Sequence, residues 1–201
     1  MATKTQPGKG ERTRERLLGA AVGEFRRVGL AKADIKAIAS AAGVAPGTFY
    51  FHFPTKEHVL IELERREEDR IATELSRYFT DAPGVPAMLT KVVDAVAGLE
   101  GRLGPVLFKD FLALHFSTAR PPEEIWTNHP VIVVVVDELR SAREQGVIPD
   151  DVDPLYSGIF FLAGLYALMI TLPGIEPMRG QVLAQYVRTS LYGIRIQATA
   201  A

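Results

Sequence analysis

Apolar residues recur along the chain at the spacing of one helix face. In the first strongly periodic segment they are Leu17, Leu18, Ala21, Val22 and Phe25. This pattern predicts a helix over residues 10–28 that ends at Gly29. Further periodic segments, separated by prolines and glycines, follow to the end of the chain. They predict about nine helices and no convincing strand, and therefore an all-α fold.

One segment conflicts with that fold by its composition. Residues 131–136 read VIVVVV, and β-branched side chains favour a strand. A lone strand would have no partner to pair with in an otherwise helical chain. We therefore predict a buried helix here, held by tertiary packing against its propensity.

A second segment tests whether the chain enters a membrane. Residues 154–175 carry no charge and are long enough to cross a bilayer. They follow the acidic stretch PDDVD, whereas cytoplasmic flanks of membrane helices are rich in Lys and Arg. We expect a helix buried on one face by the core and on the other by a partner subunit. A membrane span is the alternative.

The composition excludes several kinds of chemistry. The chain has no cysteine, so disulfides, thiolate nucleophiles and Cys-ligated zinc are excluded. Its four histidines lack the HExxH spacing of a zinc site, and Ser157 and Asp94 lack partners at a catalytic spacing. We therefore predict no enzyme activity, catalytic residue, metal or cofactor. The basic N-terminus lacks an apolar secretory core, which favours a cytoplasmic protein.

Charge is distributed unevenly along the chain. The first 60 residues carry ten Lys and Arg against five Asp and Glu, although the whole chain has a formal net charge of −1. A basic first third joined to an acidic remainder suggests that only the first third contacts a polyanion.

The basic region contains a helix-turn-helix pattern. Asp34 is a suitable N-cap for a helix over residues 34–42, and Gly43 begins a turn through Ala45. A short helix is predicted from Pro46 to about Phe51, with Phe49 pointing inward. The predicted domains are a three-helix DNA-binding domain over residues 1–54 and a helical effector and dimerisation domain over residues 55–201.

The outward side of the short helix is suited to a DNA groove. Hydroxyl groups and an imidazole can bind phosphates, and glycine permits close approach. Phe51 is equally compatible with the core. Lys36 is the candidate reader of a guanine edge, and Lys56 adds a cation at the start of the next helix. The predicted DNA contacts are Lys36, Pro46, Gly47, Thr48, Tyr50, Phe51, His52 and Lys56.

The next helix runs to about Phe79 and contains the charged stretch ELERREEDR, residues 62–70. We interpret this stretch as a solvated face with ion pairs one helical turn apart, such as Glu62 with Arg66.

Aromatic residues gather in the larger domain and suggest a cavity for a hydrophobic, partly aromatic ligand. The alternative is an ordinary filled core. For His115 we favour that alternative, as a core histidine with a hydrogen-bond partner. The predicted ligand contacts are Phe108, Phe111, Leu112, His115, Phe116, Trp126, Phe161, Leu165, Tyr166 and Met169.

Residues 12–63 contain a further pattern, which consists of Ala21, Phe25, Gly29, Ile38, Ala39, Ala42, Gly43, Val44, Gly47, Thr48, Tyr50, His52, Phe53, Lys56 and Glu57. This pattern resembles the N-terminal domain of TetR-family transcriptional regulators. The resemblance implies a homodimer formed through the last two helices, a ligand cavity in the C-terminal domain, and DNA contact by the residues given above. Ala45 departs from the family pattern, which has Ser or Thr as the cap of the recognition helix.

We therefore predict a repressor that binds palindromic DNA as a homodimer and is released by a small hydrophobic effector. The alternative is a helical small-ligand carrier or an enzyme, neither of which would bind DNA.

Overall fold

The computed structural model describes residues 8–117, 129–172 and 174–194. Within these ranges the chain forms nine α-helices and no strand, which confirms the predicted all-α class. The helices are α1 (Lys9–Val28), α2 (Ile35–Ala41), α3 (Pro46–His52), α4 (Lys56–Phe79), α5 (Val85–Leu103), α6 (Pro105–Leu114), α7 (Pro130–Glu144), α8 (Pro154–Thr171) and α9 (Met178–Gly193).

The described chain divides into two compact units. The first unit runs to Arg65 and includes Leu103–Phe111, so it holds α1 to α3, the start of α4 and most of α6. The second unit holds Arg66–Arg102 and the described residues from Leu112 onward. The predicted division between residues 54 and 55 is one of function, and it stays a prediction.

The helix-turn-helix forms for local reasons. The side chain of Asp34 caps α2 by accepting a hydrogen bond from the N–H of Lys36 at 2.9 Å. Gly43 has a φ of 65°, a left-handed conformation that glycine adopts without steric cost. Ala39 and Phe49 are fully buried, which lets α2 and α3 pack closely.

The valine-rich segment lies in α7, as predicted from its context. Val131, Val135 and Val136 are buried, and α7 packs against α8. Gly158 of α8 permits this close approach, because a Cβ atom there would lie 2.8 Å from Cγ2 of Val136. Apolar burial between the two helices thus overrides the strand propensity of the segment.

Helix α8 is uncharged, and by length and composition it passes as a membrane span, with a mean hydropathy of 1.6. In the structure Leu165 and Met169 are buried, whereas Tyr156 and Phe160 are 58% and 69% exposed. The predicted core face of α8 is therefore confirmed, and its opposite side presents aromatic rings at the surface of the protomer.

Candidate nucleic-acid interface and effector cavity

Helix α3 divides its aromatic side chains between interior and surface. Phe49 is 0% exposed and Phe53 is 1% exposed, whereas Tyr50 and Phe51 are 55% and 85% exposed. Successive residues of a helix point about 100° apart, so anchoring Phe49 in the core turns the next two side chains outward. Phe51, which the sequence left open, therefore lies at the surface.

The other predicted DNA contacts on α2 and α3 are also accessible. Pro46, Gly47 and Lys36 are exposed, and Thr48 and His52 are partly exposed. The ring of His52 meets that of Phe51 edge-on, with 5.1 Å between ring centroids. These residues can therefore reach a ligand, and their contact with DNA stays a prediction.

The start of α3 is held without a side-chain cap. Ala45 is extended, with φ −70° and ψ 149°, and makes no capping hydrogen bond. Pro46 follows at the first helical position, where its missing N–H leaves one fewer unsatisfied donor. The helix therefore depends on Pro46 and on the burial of Phe49.

Lys56 makes contacts within its own unit. Its Nζ donates hydrogen bonds to the carbonyl oxygens of Leu30, Ala31 and Ala33 at 2.8, 3.1 and 3.2 Å, and its contact with DNA stays a prediction. A lysine ammonium has three N–H donors, so all of them are occupied. Lys56 therefore fastens the loop between α1 and α2 to the start of α4.

Arg14 is engaged inside the same unit. Its guanidinium pairs with Glu62 at 3.1 Å and lies 4.6 Å from the centroid of the Phe53 ring. These contacts connect α1 with α4 and with the end of α3. Other cations of this unit remain at the surface, including Arg12, Arg16 and Lys36, so the unit keeps exposed positive charge.

The second unit contains a narrow cavity, whose free space of about 20 Å³ admits little more than one water-sized species. Its wall is mostly apolar, with one polar group of side chains. The lining residues are Glu68, His115, Phe116, His129, Val131, Ile132, Ile159, Leu162, Ala163 and Tyr166.

The polar group centres on Glu68 of α4, which is 4% exposed. His115 Nε2 lies 2.9 Å from Oε1 of Glu68, and His129 Nδ1 lies 3.0 Å from Oε2. Burial raises the pKa of the Glu68 carboxyl, but hydrogen bonds from His115 and His129 outweigh burial and lower the pKa to about 2. The carboxylate is therefore charged inside the cavity at neutral pH.

The interpretation of residues 62–70 as a solvated face is wrong at two positions. Glu64 and Glu68 are 3% and 4% exposed, because they occupy the apolar face of α4 that includes Leu60, Ile71 and Leu75. Glu62 pairs with Arg14 of α1. Two carboxylates at the period of an apolar stripe were the sequence signal for this site, and the high charge of the stretch concealed it.

The predicted ligand residues have different environments. His115, Phe116 and Tyr166 line the narrow cavity, and Phe161 lines a second one of about 230 Å³ beside Tyr186. The following residues are instead buried core side chains that line neither of these two cavities: Phe108, Phe111, Leu112, Leu165 and Met169. Trp126 lies outside the described residues. The sequence analysis missed Glu68 and His129, and the histidine spacing did not reveal that His115 and His129 meet.

A family model matches the helix-turn-helix region, and a curated regulator is similar over nearly the whole chain. Residues 17–63 match the family model described as bacterial regulatory proteins, tetR family. The HTH-type transcriptional regulator UidR of Escherichia coli K12 is 24% identical over 195 residues, which cover 96% of each chain.

Solved structures share the fold. Thermus thermophilus FadR, a TetR-family transcriptional repressor in complex with lauroyl-CoA, aligns with a TM-score of 0.68 and 23% identity over 94% of this chain and 98% of its own. The complex of Stenotrophomonas maltophilia SmeT with triclosan aligns with a TM-score of 0.61 and 22% identity over 94% and 96% of the two chains. The match over residues 17–63, together with the helix-turn-helix geometry of α2 and α3, shows an N-terminal domain of the tetR-family type, and the solved structures show that the chain shares the fold of TetR-family regulators.

Proposed function

We propose that this regulator is a repressor that binds a palindromic operator as a homodimer and is released by a small hydrophobic effector. The observation that carries the DNA-binding part is the outward face of α3. Contiguous exposed apolar patches commonly mark interaction sites. Tyr50 and Phe51 are exposed in this way, and the same unit carries exposed cations at Arg12, Arg16 and Lys36.

The chemistry of the surface suits a DNA duplex. The hydroxyls of Thr48 and Tyr50 and the imidazole of His52 can donate to phosphate oxygens, which fixes the register of the protein. The ring of Phe51 can pack on thymine methyl groups, and Lys36 can donate to a guanine edge. Pro46 and Gly47 add no long side chain, so we expect DNA shape to contribute to specificity.

A homodimer through α8 and α9 would cover the aromatic side of α8. Tyr156 and Phe160 stack on each other, with 6.0 Å between ring centroids, and Tyr192 of α9 is 68% exposed. Isologous pairing of this face would bury these rings and present two recognition helices to the two halves of a palindrome.

The narrow cavity is the proposed effector site. Small-molecule sites commonly enclose about 300–1,000 Å³, so a hydrophobic effector would have to widen the present space of about 20 Å³. Widening would separate the helices that line it, and this change in packing supplies the conformational signal. The SmeT and FadR complexes support a small-molecule effector by analogy.

Helix α6 offers a route for that signal. The carboxylate of Asp110 accepts a hydrogen bond from the N–H of Leu30 at 2.7 Å, and Leu30 belongs to the loop that Lys56 also holds. His115 of the cavity follows α6 directly, five residues along the chain from Asp110. A shift of α6 on effector binding would therefore act on the loop before α2. A coupling of about 1–3 kcal/mol would weaken DNA binding roughly 5- to 150-fold.

The deciding experiment is selection of bound duplexes from a random pool by the purified chain. We expect an enriched palindrome whose affinity falls steeply as salt increases, because phosphate contacts release counterions. A small-ligand carrier or an enzyme would enrich no sequence, and that outcome would reject the proposal. DNA binding also requires the protein to share a compartment with the chromosome, so we propose that it acts in the cytoplasm.

A further inference from the structure

Three side chains from distant parts of the sequence meet in the narrow cavity. Glu68 of α4, His115 just after α6 and His129 just before α7 each contribute one ligand atom, and these atoms lie within 4.8 Å of one another. The two imidazole side chains are 10% and 12% exposed. We propose that these three residues bind a divalent transition-metal ion, zinc or one with similar ligand preferences.

The donor set selects the class of ion. Two imidazole nitrogens and one carboxylate are ligands that Zn²⁺, Co²⁺, Ni²⁺ and Fe²⁺ accept. Mg²⁺ and Ca²⁺ prefer sites built from oxygen atoms. The chain has no cysteine, so softer thiolate coordination does not compete.

The spacing of the donors suits coordination. His115 Nε2 lies 2.9 Å and His129 Nδ1 lies 3.0 Å from an oxygen of Glu68. Neighbouring ligands about 2.1 Å from a metal lie about 3.0 Å apart in an octahedron and about 3.4 Å apart in a tetrahedron. Each imidazole nitrogen therefore lies at nearly the distance from the Glu68 carboxylate that two ligands of one ion require, and all three donor atoms lie within 4.8 Å of one another.

The surroundings favour a small ion over another side chain. Close packing normally fills an interior, yet about 20 Å³ remains open beside the three donors. The Tyr166 ring meets the His115 ring edge-on with 4.7 Å between centroids, which restricts the orientation of the imidazole. Three protein ligands also leave coordination positions that a water or an effector oxygen can occupy.

A second acidic residue strengthens the attraction for a cation. Glu64 is 3% exposed and lies one turn before Glu68 on the same face of α4. A carboxylate oxygen of Glu64 lies within 4.8 Å of the other three donor atoms, and two carboxylates beside one site attract a doubly charged cation.

Direct metal titration tests the site. The full chain without a polyhistidine tag would be treated with a chelator, dialysed and titrated with Co²⁺, with visible ligand-field absorption as the signal and Zn²⁺ as the competitor. We expect one ion per chain, and an affinity at least about tenfold weaker in E68Q, H115Q and H129Q. His58→Gln is the matched control, because His58 is exposed and bonds Thr55.

Absence of uptake would overturn the proposal, and so would equal affinity in the wild type and all three variants. If the variants fail to fold, X-ray absorption of the zinc-loaded wild type decides the question. A coordination shell with two imidazoles and a carboxylate oxygen supports the site, and a shell without imidazole rejects it.

The regulatory role of the ion rests on the proposed function. Zinc should change the affinity for the selected DNA by the roughly 5- to 150-fold that typifies coupled sites, and H129Q should lose this response. Zinc binding at these residues with unchanged DNA affinity would reject metal regulation and leave the metal site standing. Failure to bind any DNA would reject the proposed function without affecting the titration.

Discussion

Helix α3 and the narrow cavity use aromatic and polar side chains in opposite ways. On α3, Phe49 is buried so that Tyr50 and Phe51 face outward, and the side chains proposed to contact DNA stay in solvent. In the cavity, Glu68 is buried and satisfied by two histidines drawn from other segments. A surface site therefore needs one local anchor, whereas a buried polar site needs partners from the whole unit.

The first prediction concerns the exposed aromatic side chains of α3. The double variant Y50A/F51A should lose about 3 kcal/mol of DNA-binding free energy, roughly 150-fold in affinity, because a phosphate contact and an apolar contact disappear together. Fluorescence anisotropy with the selected duplex measures the loss. The midpoint of thermal unfolding should stay nearly unchanged, since both side chains are exposed.

Tyr78→Ala is the control for that experiment, because Tyr78 is an aromatic residue of α4 that is 38% exposed outside α3. Equal losses in the control and in the double variant would mean that α3 is not the binding surface.

The second prediction concerns the buried carboxylate of Glu68 in the narrow cavity. Glu68→Ala should lower the free energy of unfolding by about 2–3 kcal/mol, because two buried imidazole groups lose their acceptor. Glu68→Gln keeps an acceptor of similar shape and should cost less. Urea denaturation of the metal-free proteins measures both values. A difference of less than about 0.5 kcal/mol between the alanine variant and the wild type would contradict the buried network.

The third prediction separates two roles of Lys56. Lys56→Met should lower the free energy of unfolding by about 1–2 kcal/mol, because three carbonyl oxygens lose a charged donor. DNA affinity should fall with an unchanged slope against the logarithm of the salt concentration. A slope that decreases by about one would indicate that the ammonium group binds a phosphate.

The fourth and smallest prediction concerns Asp110. Asp110→Asn should cost about 1 kcal/mol of stability, because the N–H of Leu30 then meets a neutral acceptor. Hydrogen exchange should report faster opening of residues 29–33, with little change in α7 and α8. Lys109→Asn, at an exposed neighbouring position, provides the control. Identical exchange in both variants would exclude the Asp110 contact as an anchor of the loop.

The sequence by itself determined the features that depend on local physics. The apolar period of α1, the Asp34 cap, the turn at Gly43 and the inward Phe49 all act within a few residues, so their pattern predicted the helix-turn-helix and the outward Tyr50. The composition of residues 131–136 favours a strand. Their helix could be predicted only because a lone strand would have had no partner in the sequence.

Tertiary structure alone decided the polar partners. Glu68 meets His115 and His129 across 47 and 61 residues of sequence, and no spacing rule relates positions so far apart. The ammonium group of Lys56 likewise donates to a loop that lies more than 20 residues before it in the sequence. Hydrogen bonds form between whichever groups packing brings within about 3 Å. That proximity depends on how helices dock, which periodicity in one segment does not specify.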